Sequence, residues 1–329
     1  MYVGRRLGTP LLLALLLGTI LPAGVGPASA SGATLQWAAN CDVNVRARPT
    51  TSSPRTTRIA TDTLVTISGK VSGRPYLTVC QRWVSGSTWY AITAIGGRSV
   101  SSLFGVKTVY AASVLFRAAP SGSVEGIDVS RWQGRIDFAR VRASGKGFVI
   151  AKATEGRYYT DGAYARNRSG AIAAGLAFTA YHYAHPDRTP GDATLEADHF
   201  IAVAGLRHGM LTPVLDIENG TSLGVSGLQA WVKTWLSRVY SRVGVRAMIY
   251  TTPSFWQTSM GNTRWFADNG YRVVWVANWK VSSPSVPASN WSGRSWRFWQ
   301  YSDCGSVSGI SGCVALDRFS GTDLSTASF

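Results

Sequence analysis

Long apolar runs are nearly absent from this chain. After Leu21 no stretch approaches the ~20 consecutive apolar residues that span a bilayer, so no membrane anchor is expected. The one apolar run, Leu11 to Leu21, is interrupted by Gly18 and closed by Pro22 and Pro27. Arg5 and Arg6 precede it and Ala28-Ser29-Ala30 follows it, the pattern of a secretory signal peptide over 1–30 with a mature chain from Ser31. Also missing are a glycine fingerprint for a dinucleotide and a phosphate loop, which weighs against a doubly wound open sheet, the alternative to a barrel; no cofactor is expected. Histidine is scarce at four residues, and His199 and His208 have no acid-rich cluster at ligand spacing, which argues against a metal site.

Acids are few: 17 Asp and Glu face 33 Lys and Arg, a formal net charge of +16. The excess is uneven. Residues 31–120 hold ten Lys or Arg against two acids, Asp42 and Asp62, whereas 121–329 hold twenty-one against fifteen. Such surfaces attract polyanions, and export favours the anionic polymers of a cell wall over nucleic acid. The body of the chain, 45% hydrophobic and 11% aromatic, has the composition of a folded protein. Four cysteines allow three pairings; the economical choice is local, Cys41 with Cys80 and Cys304 with Cys313.

Residues 117–124 break every periodicity and collect Pro, Gly and Ser, which places a linker at 120–123 between modules at 31–119 and 124–329. The first module shows β-branched or aromatic runs, Thr63 to Ser68, Tyr76 to Cys80, Trp89 to Ile95 and Val106 to Ala111, separated by glycine-containing turns at Gly69, Gly86 and Gly96. That spacing predicts a small all-β barrel. In the second, strand-like segments at 126–129, 148–152, 178–183, 213–217, 246–250, 273–277 and 297–301 alternate with helix-like ones at 164–174, 193–204 and 228–243. This is the signature of βα units and a largely parallel sheet.

Asp128, Glu155, Asp216, Glu218 and Asp317 fall at or just beyond the ends of predicted strands, the face on which barrel enzymes carry their chemistry. In Pro213-Val214-Leu215-Asp216-Ile217-Glu218 an apolar strand ends in two acids one residue apart. Side chains alternate along a strand, so both face one way with Cα atoms about 6.6 Å apart at ~3.3 Å per residue. Carboxyl groups that close favour one protonated and one ionised, the division that glycoside hydrolysis needs.

The early stretch Asn44-Val45-Arg46-Ala47-Arg48-Pro49, with Ser87-Thr88-Trp89-Tyr90 and Val109-Tyr110-Ala111-Ala112, resembles the bacterial Src-homology-3-like domains that target wall hydrolases. The resemblance implies peptidoglycan binding for 31–119. Residues 124–329 resemble glycoside hydrolase family 25, the lysozymes. The motifs are Gly126-Ile127-Asp128-Val129-Ser130, Ala151-Lys152-Ala153-Thr154-Glu155-Gly156, Ala180-Tyr181-His182-Tyr183, Asp216-Ile217-Glu218, Ile249-Tyr250-Thr251, Trp275-Val276-Ala277, Trp299-Gln300-Tyr301 and Leu316-Asp317.

The second resemblance implies a TIM-like, irregular α/β barrel that cleaves the β-1,4 bond after N-acetylmuramic acid in peptidoglycan. By motif, Glu218 corresponds to the proton donor, Asp216 to the group stabilising the reaction centre, and Asp128 and Asp317 to further active-site acids. Net retention is what the resemblance suggests, with a water-assisted inverting route left open. Glu155, Tyr181, Trp275, Trp279, Gln300 and Tyr301 are the candidate sugar contacts, although Trp279 departs from the tyrosine common at its place. The expectation is a secreted or wall-associated monomer; the alternative is a non-catalytic peptidoglycan binder on the same scaffold.

Overall fold

The computed structural model describes residues 36–329 apart from 62, 81, 97 and 119–121. The expected signal peptide and part of the expected linker lie outside them. Two sheets account for the described strands.

The first sheet is antiparallel. Its strands are β1 (Gln36–Ala39), β2 (Val43–Arg46), β3 (Arg55–Ile59), β4 (Leu64–Cys80), β5 (Arg82–Ile95), β6 (Arg98–Ser99), β7 (Val109–Ala112) and β8 (Phe116–Ala118), in the order β3-β2-β7-β5-β4-β1-β8 with β6 on β5. Gly69 and Gly86, expected in turns, lie inside the long β4–β5 hairpin. The register slips beside Gly69 and again between Ser72 and Tyr76, so glycine marks irregular pairing in this hairpin rather than chain reversal. At Gly86 a Cβ would come within 2.7 Å of the Tyr76 hydroxyl, which lies across the strand. Cys41–Cys80 ties the start of the sheet to the hairpin tip.

The second sheet closes on itself. Its strands are β9 (Ser123–Val129), β10 (Phe148–Glu155), β11 (Tyr159–Thr160), β12 (Ala177–Tyr183), β13 (Val214–Asp216), β14 (Met248–Thr251), β15 (Val274–Ala277), β16 (Phe298–Gly305) and β17 (Val314–Ser320). The path β10-β12-β13-β14-β15-β16-β17-β9 returns to β10 and makes an eight-stranded barrel, with β11 outside it. All neighbours on this ring are parallel except those of β17, which runs antiparallel to both β16 and β9. Sequence periodicity missed β17. It returns from β16 across a short loop closed by Cys304–Cys313, so no helix announces it.

Alternation sorts the side chains into two layers. Outward residues such as Ile127, Val149, Phe178, Leu215, Ile249 and Val276 meet helices including Tyr164–Ala173, Asp192–Ala204 and Gly224–Val243. The last of these helices buries Leu228, Trp231, Val232, Trp235, Leu236 and Val239 at spacings of three and four. Inward residues fill the barrel itself, with the Phe298 ring in contact with those of Phe148 at 5.3 Å and Phe319 at 5.1 Å. Gly126 permits that plug, because a Cβ there would fall 2.4 Å from the Phe148 ring.

The two sheets touch near Trp291. Asn290 Nδ2 donates to Gly96 O at 2.9 Å and Arg294 Nε to Thr61 O at 3.2 Å. Five residues here, Ala288 to Ser292, have φ between 49° and 56°, a left-handed turn that L-residues adopt at a cost of ~1–2 kcal/mol each. Burial of Trp291, whose Nε1 donates to Tyr271 O at 2.8 Å, helps hold that turn in place.

Candidate active site

Inward alternation continues to the mouth of the barrel, and there the filling changes from apolar to acidic. Asp128 on β9, Asp216 at the end of β13, Glu218 two residues beyond it and Asp317 on β17 all occupy inward positions. The strand ladder carries on past β13: Ile217 N donates to Tyr250 O at 3.0 Å, which keeps Glu218 in phase with Asp216. Asp317 is fully buried and Asp216 nearly so, whereas Asp128 and Glu218 are half-buried.

Asp128 and Asp317 form one unit. Gln300 Nε2 donates to Asp128 Oδ2 at 2.7 Å, and Trp275 Nε1 to Asp317 Oδ1 at 2.9 Å. Asp317 Oδ2 has no donor among the described residues, and the two carboxyl groups crowd each other, the charge of Asp128 adding to burial in pushing Asp317 up. Burial raises Asp128 to about 6, with Glu218's charge adding to the rise and the Gln300 hydrogen bond opposing it. Asp317, deeper and facing Asp128, is held well above the usual carboxylate range. Gln300 is fixed in turn, since its Oε1 accepts from Tyr250 OH at 3.2 Å and Trp279 Nε1 at 3.0 Å.

Asp216 and Glu218 differ in setting. Burial first, then the charges of Glu218 and Asp128, push Asp216 well up, and its Oδ1 has no donor among the described residues. Burial raises Glu218 as well, but a hydrogen bond from Tyr183 and the charge of Lys152 oppose the rise. Tyr183 is itself held by Asn219 Nδ2 at 3.0 Å, and the Lys152 ammonium stands 4.7 Å from its ring centroid.

Of the expected sugar contacts, Tyr181, Trp275 and Gln300 line the acidic mouth, and Trp279 stands at its rim, 40% exposed. Glu155 pairs with Lys152 and, at 3.0 Å, with His185 Nε2, and these partners hold its carboxyl below the usual range despite burial. Tyr301 stands apart. It has the opposite parity to Gln300 and packs on the outer face, with the Arg318 guanidinium 4.4 Å from its ring. His182 is also outward, buried between Thr154 and Glu196 and stacked on Trp235. Burial lowers it to about 3 and raises Glu196 to about 8, so this pair stays neutral.

Tyr183, Tyr250 and Asn219 were not singled out from the sequence. Alternation from Tyr181 would have found Tyr183. Two hollows open at this end of the barrel. One of about 630 Å³ includes Glu155, Tyr158, Tyr159, His185 and Asn219; the other, of about 620 Å³, includes Thr252, Asn278, Trp279 and Lys280. Tyr158 stands 85% exposed on the wall of the first. Among the described residues no cluster of His, Cys, Asp and Glu is arranged to hold a metal ion.

The family model for glycosyl hydrolases family 25 matches residues 127–310. Lysozyme M1 of Streptomyces globisporus is 38% identical over 213 residues, 62% of this chain and 70% of that protein. An N,O-diacetylmuramidase of Arthroderma benhamiae is 35% identical over 213 residues, 60% of this chain and 87% of that protein. Among solved structures, the bacterial lysozyme from Streptomyces coelicolor superimposes with a TM-score of 0.57 at 35% identity, covering 63% of this chain and 98% of that one.

Proposed function

The chain belongs to family 25 of the glycosyl hydrolases, and from that membership we propose how the four acids divide the work of a peptidoglycan muramidase. It is a glycoside hydrolase acting on the cell wall. Glu218 is the proton donor to the glycosidic oxygen, and Asp216 is the negative group beneath the sugar that becomes electron-deficient as the bond breaks. One observation carries this division: the two carboxyl groups share a face at the mouth, with Asp216 deep and Glu218 at the surface where a leaving oxygen can reach it.

In the free protein the electrostatics favour the proton on Asp216, the deeper of the two. A glycan lying over the mouth reverses that preference. It removes Glu218 from water, and it brings toward Asp216 Oδ1 the positive charge that develops at the reacting sugar. The proton then belongs on Glu218, Asp216 is ionised, and C1–O cleavage passes the proton to the departing oxygen while water takes its place at C1, directly or after the sugar's own N-acetyl group. Asp128 and Asp317 hold Gln300 and Trp275 in place around the same sugar. Mass spectrometry of products from purified peptidoglycan tests the assignment: new muramic acid reducing ends are expected, and glucosamine ends or free peptide would overturn it. The anomer first released, read by proton NMR, tells retention from inversion.

The first sheet is the targeting module in this reading. Its support is the charge of 31–120 and the motifs that resemble bacterial Src-homology-3-like domains. Anionic polymers and peptidoglycan are its expected partners.

A further inference from the structure

Away from the barrel, a hollow of about 350 Å³ opens on the first sheet, with Asn44, Arg46, Arg55, Arg58 and Asp42 on its walls. The strand register makes this cluster unusual. Arg46 on β2 stands directly opposite Arg55 on β3, and Asn44 opposite Arg58. The register slips between Val45 and Arg46, so the two arginines are brought together at a bulge rather than at regular ladder spacing, and like charges facing each other across strands destabilise the sheet. Arg46 Nη1 donates to Ser53 O at 2.6 Å, and Arg58 meets Asp42 at 3.3 Å across an exposed pair. One carboxylate thus serves three guanidinium groups on the hollow's walls.

Charge on an edge strand discourages pairing with other chains, and β3 is an edge. Arg55 alone would serve that end; Arg46, on the inner neighbour and within a concavity, adds nothing to it. The floor is rigid. Tyr76 and Trp89 are buried edge to face at 5.2 Å, the Tyr76 hydroxyl donates to Thr88 O at 3.0 Å and Trp89 Nε1 to Arg74 O at 3.1 Å. Opposed guanidinium groups on a fixed floor are preorganised for an anion that bridges them.

We propose that this hollow binds a phosphodiester-linked anionic polymer of the bacterial wall, one phosphate seated between Arg46 and Arg55 and the next segment passing Arg58. Phosphate is favoured over a lone carboxylate because its oxygens answer two opposed guanidinium forks at once, and a repeating anion also engages the third arginine. The inference rests on the wall-acting reading above and gives its targeting module a ligand.

The test uses the full chain, wall sacculi before and after hydrofluoric acid has removed their phosphodiester polymers, and soluble poly(glycerol phosphate) as competitor. Wild type is expected to lose about tenfold in pelleting when the wall is stripped or the competitor added. R46Q/R55Q is expected to pellet with untreated wall only as well as wild type does with stripped wall. Without polymer, R55Q relieves the opposed charges, so its Tm should equal or exceed that of wild type; poly(glycerol phosphate) should raise the Tm of wild type and not of R55Q. Equal pelleting before and after stripping, competition by carboxylate-bearing stem peptide but not by the polymer, or a lowered Tm for R55Q would overturn the proposal. Release of reducing ends from soluble glycan is measured alongside. If it is absent while phosphate-dependent pelleting persists, the muramidase reading fails and this one stands.

Discussion

The barrel mouth and the first sheet both force like charges together, and they handle the conflict in opposite ways. At the mouth, Asp128 meets Asp317 and Asp216 meets Glu218 under burial. On the sheet, Arg46 meets Arg55 in contact with water. A buried carboxyl pair can relieve itself by keeping a proton, and a proton that changes owner is what acid catalysis uses. Arginine does not titrate in the working range, so an opposed pair of arginines is relieved only by a counter-ion. In the readings proposed above, crowding with titration serves reaction and crowding without it serves binding.

Removing the transferable proton is expected to cost the most activity. Glu218→Gln keeps shape and packing, and is expected to lower reducing-end release by about 10² to 10⁴ while pelleting with wall is unchanged. A near wild-type rate in a variant shown folded by circular dichroism would move the acid role to another carboxyl group.

The next largest effect concerns stability. Asp128, Asp216 and Asp317 have raised pKa values in the folded state, so they favour folding below about pH 4 and lose that contribution as pH rises through their folded values, about 6 for Asp128. For Asp128 the rise from 3.8 to about 6 corresponds to roughly 3 kcal/mol lost above that pH. The Tm is therefore expected to fall between pH 4 and 8. Asp317→Asn should flatten the fall and raise the Tm at pH 8, at the expense of turnover. A Tm independent of pH would show that these buried acids do not keep their protons in the folded state. The arginine pair supplies the contrast, because the Tm gain of R55Q should not vary over the same range.

The smallest effect sharpens the account of Glu218. The Tyr183 hydroxyl holds its carboxyl down, so Tyr183→Phe lets it rise. The alkaline limb of the pH–rate profile, where the acid loses its proton, should move to higher pH with only a few-fold change in maximal rate. A shift to lower pH would show that Glu218 is not the group titrating there.

Much of this was legible in the sequence because the period of two is a geometric rule. It put Asp216 and Glu218 on one face, while the alternation of strand-like with helix-like segments located seven of the eight barrel strands. Applied further, it would have included Tyr183 and set Tyr301 aside. Three features lay beyond it. β17 joins by an antiparallel return with no helix between; Gly69 and Gly86 serve irregular pairing that composition does not separate from a turn; and the opposition of Arg46 and Arg55 depends on register, which separate strand assignments do not fix.

Closure of the barrel by β17 also governs when the enzyme comes into being. The hydrogen bond from Gln300 to Asp128 spans 172 residues, and Asp317 arrives on the last strand of the ring. A growing chain can stack helices on its first strands, yet the four proposed acids do not come together until β17 slides between β16 and β9. Contacts so distant along the chain form slowly, after the loops between them have been closed. In the proposed division of roles, lytic capacity therefore appears all at once when β17 docks, and a protease that cuts before Asp317 is expected to silence the molecule.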